Sequence, residues 1–588
     1  MDSLVHNNGI YEQREWCIQM AESSESSKIR KTDGGAYLTW ENLGVVVSSS
    51  NGNTGKDGSK SILTGATGYA KPGEILAIMG PSGCGKSTLL DSLAGRLASN
   101  VKHSGRVLIN GRKTRPTYGT MAYMTQEQAL TWTLTVKETV YCSAELQLPK
   151  MMSKAEKRER ADRIIREMGL QDALNTRVGG WGTKGLSGGQ KQRLSICLQL
   201  LTHPKLLLVD EPTSGLDSAA SYYVMNQIVK LTRQYKMTVL AAIHQPSSQV
   251  FSLFDNLCLL SLGKTIYFGP TLAANQFFVV NGFPCPFLQS PADHYLLTIN
   301  ADFDEDRDSG KTEKIIDLLS ESYKSCEIYM EVQREIADIC RQDGEPLVKK
   351  GSMKASPITQ CLVLAERSFK NMYRDIGYYW LRLGIYIALG FAVGTVFNNI
   401  GNGFDSLRAR MAMLMFVSSF LTILAIGGFP SFVEEIKVFQ WERLNGHYGV
   451  GSFIISHAMS SIPYLLLISL IPGVIAYSLV GLQKTPEQFI YFALVIFASM
   501  LIVECLMMIV ATIVPNLLMG IISGAGIQGL MILSAGMHCK DYIKMSLKGL
   551  SSRVLGRSSN HGWVILFGTI KITERLKPIV RAFLLSCT

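Results

Sequence analysis

The chain has 588 residues, 47% hydrophobic and 18% charged, with a formal net charge of +11 and a mean hydropathy of +0.15. Gly (53) and Pro (19) stand at ordinary levels, which excludes a collagen-like or disordered protein, and 12 cysteines are too sparse for a disulfide scaffold. The length suits roughly three or four domains, and the basic excess admits nucleic acid or a membrane surface as partner until its location is known.

Residues 1–36 form a polar tail of mixed charge. It holds no secretory apolar core, so no cleaved signal peptide is expected. Residues 37–300 read as a soluble α/β domain: short apolar runs at Glu74–Met79, Leu206–Val209 and Thr238–Ile243 alternate with helical stretches. Residues 301–356 are charged and polar, with one amphipathic stretch near Lys314–Ile339, and read as a linker. Ile358–Tyr373 is amphipathic and reads as an interfacial connecting helix, or alternatively an ordinary linker helix. Linker and connecting helix together span 301–377.

The character changes over residues 378–536. Apolar runs cover Tyr378–Phe397, Met411–Gly428, Ser452–Val480, Phe489–Val514 and Leu517–Gly536. A helix of roughly 20 residues spans the hydrocarbon thickness, so five membrane spans are expected. The soluble half precedes them without a signal and is expected in the cytosol, as is the loop around Glu434–Tyr448 between spans two and three. Lys354, Arg367, Lys370 and Arg374 before span one agree with the positive-inside rule.

Two motifs carry chemistry. Gly80-Pro-Ser-Gly-Cys-Gly-Lys-Ser87 fits G-x-x-x-x-G-K-[ST], follows the apolar run Ile75–Met79 and opens a helix. Its small residues (Gly80, Ser82, Gly83, Gly85) let backbone N–H groups wrap phosphates, with Lys86 on the β/γ-phosphates, Ser87 on Mg²⁺ and Thr88 beside it. Leu206-Leu-Leu-Val-Asp-Glu211 supplies the second: Asp210 ends a strand, placed to hold Mg²⁺, and Glu211 can polarise an attacking water.

Between them lies Leu186-Ser-Gly-Gly-Gln190. With it the set resembles the ABC ATPases, an α/β P-loop NTPase fold, here followed by an all-α transmembrane domain. The resemblance implies that Gln126 is the Q-loop glutamine and a further Mg²⁺ contact, that Ser214-Gly-Leu-Asp217 is the D-loop, and that His244 is the switch histidine. It also implies that Leu186, Ser187, Gly188, Gly189 and Gln190 of one subunit close over ATP held by the other. A chain with one of each motif is then half of a dimer, a homodimer or a heterodimer. The order, ATPase first and membrane second, resembles the G subfamily of white–brown half-transporters. Glu211-Pro-Thr-Ser-Gly-Leu-Asp-Ser218, Ile243-His-Gln-Pro-Ser-Ser248 and Asn445-Gly-His-Tyr448 strengthen that likeness, and Phe432–Tyr448 looks most like plant members. No aromatic stacking partner for adenine is evident; Tyr37 or Trp40 would serve unless they pack in the first strand.

The resemblance implies ATP-driven export of a lipidic or small hydrophobic substrate across the plasma membrane. Phe416, Phe420 and Ile423 share one helical face in span two and could wall a cavity, the alternative being lipid-facing or packing residues. Gln528 in span five is polar at membrane depth. Glu504 inside span four requires a partner or hydration, whether its role is functional or structural.

The resemblance ends near Ala535-Gly536. Residues 537–588 hold one short apolar run, Trp563–Ile570, and nine basic residues against two acidic, a net +7 that leaves +4 over 1–536. A sixth family span is missing there, so an altered reading frame or a splice variant is the expectation, with a genuine cytosolic tail the lesser one. The rival function is a truncated, transport-deficient subunit that regulates full-length partners. The five expected apolar spans argue against a nucleic-acid ATPase.

Overall fold

The computed structural model describes residues 35–48, 59–97, 101–113, 119–126, 129–180, 184–301, 311–341, 355–375, 379–398, 400, 404–482, 485–514 and 516–532. The tail expectation for 537–588 lies outside them. The described residues form two compact units; the second takes 129–134, 177–180 and those from Ala355 to Ile532.

In the first unit β1 (Leu38–Ser48), β2 (Ser59–Ala70) and β4 (Val101–Ile109) make an antiparallel sheet in the order β2-β1-β4. The larger sheet has the order β5-β6-β7-β3-β8-β9, from β3 (Ile75–Met79), β5 (Met121–Met124), β6 (Leu206–Asp210), β7 (Thr238–Ala242), β8 (Asn256–Ser261) and β9 (Lys264–Pro270). All its pairings are parallel except β8 with β9. Every residue of β3, β6 and β7 is buried, as continuous apolar runs require when helices cover both faces of a sheet.

Helices α1 (Lys86–Ala94), α2 (Val136–Gln147), α3 (Lys154–Glu167), α4 (Gly188–Leu200) and α5 (Ser218–Tyr235) follow, with a single turn α6 (Ser248–Phe251) and short helices α7 (Ala274–Val280) and α8 (Pro291–Thr298). Three of them start at reciprocal capping boxes written in the sequence: Thr135 with Glu138, Ser153 with Glu156, and Ser187 with Gln190.

Within the segment expected to be a linker, residues 311–341 are instead folded. Helices α9 (Lys311–Ser325) and α10 (Glu327–Arg341) pack on the β9 and β2 side of this unit. Ile316, Leu319, Tyr323, Val332, Ile336 and Ile339 are buried. Tyr323 donates to the Phe268 carbonyl at 3.1 Å, Lys71 meets Glu335 at 3.1 Å, and Lys264 pairs with Asp317. Their charged outer faces hide an apolar stripe at helical spacing.

The second unit contains α11 (Pro357–Arg374), α12 (Leu381–Val396), α13 (Phe404–Leu424), α14 (Phe429–Leu444), α15 (Val450–Val480), α16 (Pro486–Ile513) and α17 (Leu517–Ile532). Ala412–Leu444, Val450–Val480 and Pro486–Ile513 are long and apolar enough to cross a membrane; α12 and α17 are shorter apolar helices of 10–17 residues. The expected loop after span two is helical: a 3₁₀ turn, Ala425–Gly428, joins α13 to α14 without a break. One core cluster unites Tyr386, Val393, Met413, Leu421, Leu465 and Met500, and a second unites Phe429, Phe432, Ile436, Val503 and Met507. At Gly390 a Cβ would lie 3.0 Å from the Pro472 carbonyl, so the missing side chain lets α12 and α15 approach closely. Within this unit Thr133 donates to Asn371 at 2.6 Å, and Asn371 donates to Glu435 at 3.3 Å.

Candidate functional site

The parallel strands end together, and their C-terminal ends carry the motifs, where ligands of open α/β sheets bind. The turn after β3 runs through positive φ at Gly80, Gly83 and Gly85. A Cβ at Gly80 would stand 2.1 Å from the Leu260 carbonyl, so only glycine fits the close passage over β8. Gly85 caps α1 without a side-chain hydrogen bond, leaving the helix N-terminus open to an anion. Lys86 is buried and donates to the Gly80 and Pro81 carbonyls, each at 2.8 Å.

Asp210 ends β6, buried, with its Oδ1 lacking a hydrogen-bond partner among the described residues. Burial pushes its carboxyl above the ordinary carboxylate range, and a hydrogen bond with Ser87 opposes this. A buried acid with a free oxygen beside the Ser87 hydroxyl fits a hard cation such as Mg²⁺, which takes one or two protein oxygens alongside phosphate.

Gln126, two residues past β5, donates through Nε2 to Glu211 Oε2 at 2.8 Å. Glu211 has φ +50, a conformation uncommon outside glycine. Its N–H donates to the Ala242 carbonyl at 2.9 Å; its own carbonyl accepts from Ser214 N–H at 3.2 Å and from Gln192 Nε2 at 3.3 Å. His244 is exposed just beyond β7.

A cleft of about 520 Å³ gathers Ser82, Gly83, Gly85, Lys86, Ser87, Thr88, Gln126 and Glu211. Its other wall is Lys60, Ser61 and Ile62 of β2 with Leu262 and Gly263 of the β8–β9 turn, residues that no motif singled out. Trp40 packs edge-on against Phe268 at 5.9 Å and is buried; neither it nor Tyr37 lines this cleft.

Ser187, Gly188 and Gly189 line a separate cleft of about 440 Å³ with Arg193, Gly215, Asp217 and Tyr223. Ser187 Oγ accepts from Gln190 N–H at 3.3 Å, and Asp217 caps α5 by accepting from Ala220 N–H at 2.6 Å; Leu186 is buried behind them. Arg193 secures this helix start through the Met168 and Gly169 carbonyls, at 3.1 and 2.8 Å. Among the described residues the two clefts share no lining residue, so the glycine-rich turn and the Leu186–Gln190 motif line separate clefts of the chain.

In the second unit Phe416, Phe420 and Ile423 are exposed on α13, the two rings 4.3 Å apart. Glu504 is not on that surface: it is buried and meets Arg382 Nη2 at 3.4 Å. Gln528 is also buried, with neither amide atom hydrogen-bonded among the described residues.

An ABC transporter model matches residues 63–214, and ABC-2 type transporter models match 359–539 and 244–377. The chain is 59% identical to ABC transporter G family member 1 of Petunia hybrida, covering 88% of this chain and 81% of that protein. It is 48% identical to ABC transporter G family member 11 of Arabidopsis thaliana (86% and 73%). It is 34% identical to the broad substrate specificity ATP-binding cassette transporter ABCG2 of Rattus norvegicus (74% and 69%). With an ATPase unit, a helical unit bearing long apolar helices, and relatives matched over most of their length, the chain belongs to the ABC transporter G family, whose activity is ATP hydrolysis coupled to transport.

Proposed function

We propose that the chain is a half-transporter that exports a lipidic or small hydrophobic substrate across the plasma membrane as a dimer, with itself or with another G-family half-transporter, its ATPase unit in the cytosol. One observation carries the pairing: the glycine-rich cleft and the Ser187 cleft lie on one chain yet share no described residue. Two copies facing one another would complete two ATP sites.

In each site the open start of α1 and the loop amides hold the phosphates, and Lys86 leaves its loop carbonyls for the β/γ-phosphates. Ser87, Asp210 and Gln126 would hold Mg²⁺, which supplies charge neutralisation at the transferring phosphoryl group. Glu211 polarises the attacking water, and His244 reaches the γ-phosphate from the end of β7. Leu186, Ser187, Gly188, Gly189, Gln190 and Asp217 of the facing copy close the site. Phe416, Phe420 and Ile423 present an aromatic and aliphatic wall on an exposed helix face, suited to an apolar substrate between the two copies. Glu504 and Gln528 are buried inside the protomer rather than exposed on that face.

The test is ATP hydrolysis and export of labelled lipid by the full chain in vesicles, beside Lys86→Ala and Glu211→Gln. Turnover and export lost together in both variants support the reading. Turnover without any lipid or hydrophobe export refutes the substrate class. Activity appearing only with a co-expressed partner identifies the heterodimer.

A further inference from the structure

Glu211 occupies a backbone conformation that its own chemistry opposes. Its φ is +50, and Pro212 follows it; a residue before proline is pushed toward extended backbone. A non-glycine residue held there is strained and persists only where the surroundings over-determine it. Three hydrogen bonds do so. Two come from backbone: Glu211 N–H to the Ala242 carbonyl at 2.9 Å, and Ser214 N–H to the Glu211 carbonyl at 3.2 Å. The third comes from a side chain, Gln192 Nε2, at 3.3 Å. Gln192 is buried in the first turns of α4, the helix that Ser187 caps. It thus joins the helix bordering one cleft to the root of the carboxylate bordering the other, while Gln126 holds that carboxylate's tip.

We propose that Gln192 is a positioning residue: its amide holds the Glu211 peptide so that the carboxylate faces the attacking water, and it ties that geometry to the start of α4. This rests on the reading of Glu211 as the group that polarises water and of α4 as the helix that closes on a partner's nucleotide. When the start of α4 shifts against the γ-phosphate of the facing site, Gln192 carries the shift to Glu211 of its own site. The coupling runs through one amide and one carbonyl, and the Gln192 side chain meets no nucleotide.

The experiment uses the full chain in lipid vesicles with MgATP. Gln192→Met keeps length and apolar packing and removes the donor. It is expected to lower kcat at least about tenfold, with KM for ATP within about threefold, because the phosphate-holding cleft is untouched. Gln192→Glu places an acceptor against the Glu211 carbonyl at high pH and regains a donor when protonated. Its kcat relative to wild type is therefore expected to rise from pH 8 to pH 6, which packing alone would not produce. Wild-type kcat in Gln192→Met, or a Gln192→Glu ratio that does not move with pH, would overturn the proposal. Turnover by the chain held monomeric in detergent separates the two readings: full activity as a monomer refutes paired sites, while slow Gln192→Met turnover still upholds the positioning role.

Discussion

Arg367 and Glu442 form the best-built ion pair of the helical unit, and breaking it has a calculable consequence. Arg367 lies on α11 and Glu442 near the end of α14. Nη1 meets Oε1 at 2.6 Å and Nη2 meets Oε2 at 2.9 Å, a two-point fork that lysine cannot copy. The side chains are 13% and 7% exposed, so water replaces little of what is lost. The Tyr448 hydroxyl donates to the same carboxylate. Arg367→Met removes the cation and leaves Glu442 buried, with the Tyr448 hydroxyl still donating to it and His447 nearby. An uncompensated buried charge costs about 3–5 kcal/mol. For a unit of this size each kcal/mol lowers the melting temperature by about 2–4 °C, so the transition is expected to fall by roughly 6–20 °C. The measurement is thermal unfolding of the purified full chain, read by the loss of monodisperse protein. The double variant Arg367→Met with Glu442→Leu removes both charges and is expected to recover most of the loss, a non-additivity that only directly coupled groups produce. A single variant within about 1 kcal/mol of wild type, or a double variant as unstable as the two singles together, would refute the reasoning.

Gly80→Ala should abolish nucleotide binding, because its Cβ meets the Leu260 carbonyl at 2.1 Å, whereas Gly73→Ala, with positive φ but open space, should cost about 1 kcal/mol of stability and leave binding intact; fluorescent-nucleotide titration separates them. His203, stacked on Tyr235 at 4.3 Å near Arg160 and Arg163, has its pKa pushed down to about 4 by burial and by those cations. The unfolded chain therefore takes up the proton first as pH falls, and the stability that the neutral ring contributes is intact above about 6.5 and eroded between there and about 4. After discounting for partial exposure this amounts to about 1–2 kcal/mol, so melting curves of His203→Asn should fall less steeply over that range than wild type; parallel slopes would refute it. Glu504→Gln should lower folded yield by leaving Arg382 buried opposite a neutral group, and adding Arg382→Gln should restore part of it; normal yield with lost export would instead place Glu504 in substrate handling.

What could be read from the sequence was what local chemistry fixes. The runs at 75–79, 206–210 and 238–242 are continuous and apolar because the strands are covered on both faces. The glycines of the P-loop are a local requirement, so that cleft was legible without a fold; the capping boxes are equally local but were not singled out. What escaped depends on partners far along the chain. Residues 311–341 looked like a linker because their charges face outward, and the strand that covers their apolar stripe is about 50 residues earlier in sequence, as the Tyr323 to Phe268 bond illustrates. The charges Glu435 and Glu442 suggested a loop; they sit in a helix because Asn371, Arg367 and His457 receive them. Glu504 stood out as costly at membrane depth, yet its partner Arg382 is 122 positions away.

The end of β6 sharpens the point. Asp210 and Glu211 announce themselves by type, following an apolar strand, but nothing in Asp-Glu-Pro discloses a left-handed glutamate. That conformation follows from the hydrogen bonds that converge on one peptide from β7, from the turn after β6 and from α4. Each of these elements is anchored elsewhere: β7 lies between β3 and β6 in the sheet, and α4 is fixed at its start by Ser187 and Arg193. A displacement of α4 therefore reaches Glu211 before it reaches the sheet, because a buried strand bonded on both sides yields less than a helix end beside an open cleft. Of the three supports, only the Gln192 amide comes from a side chain, and in the proposed coupling it is there that the geometry of the carboxylate responds to what occupies the neighbouring cleft.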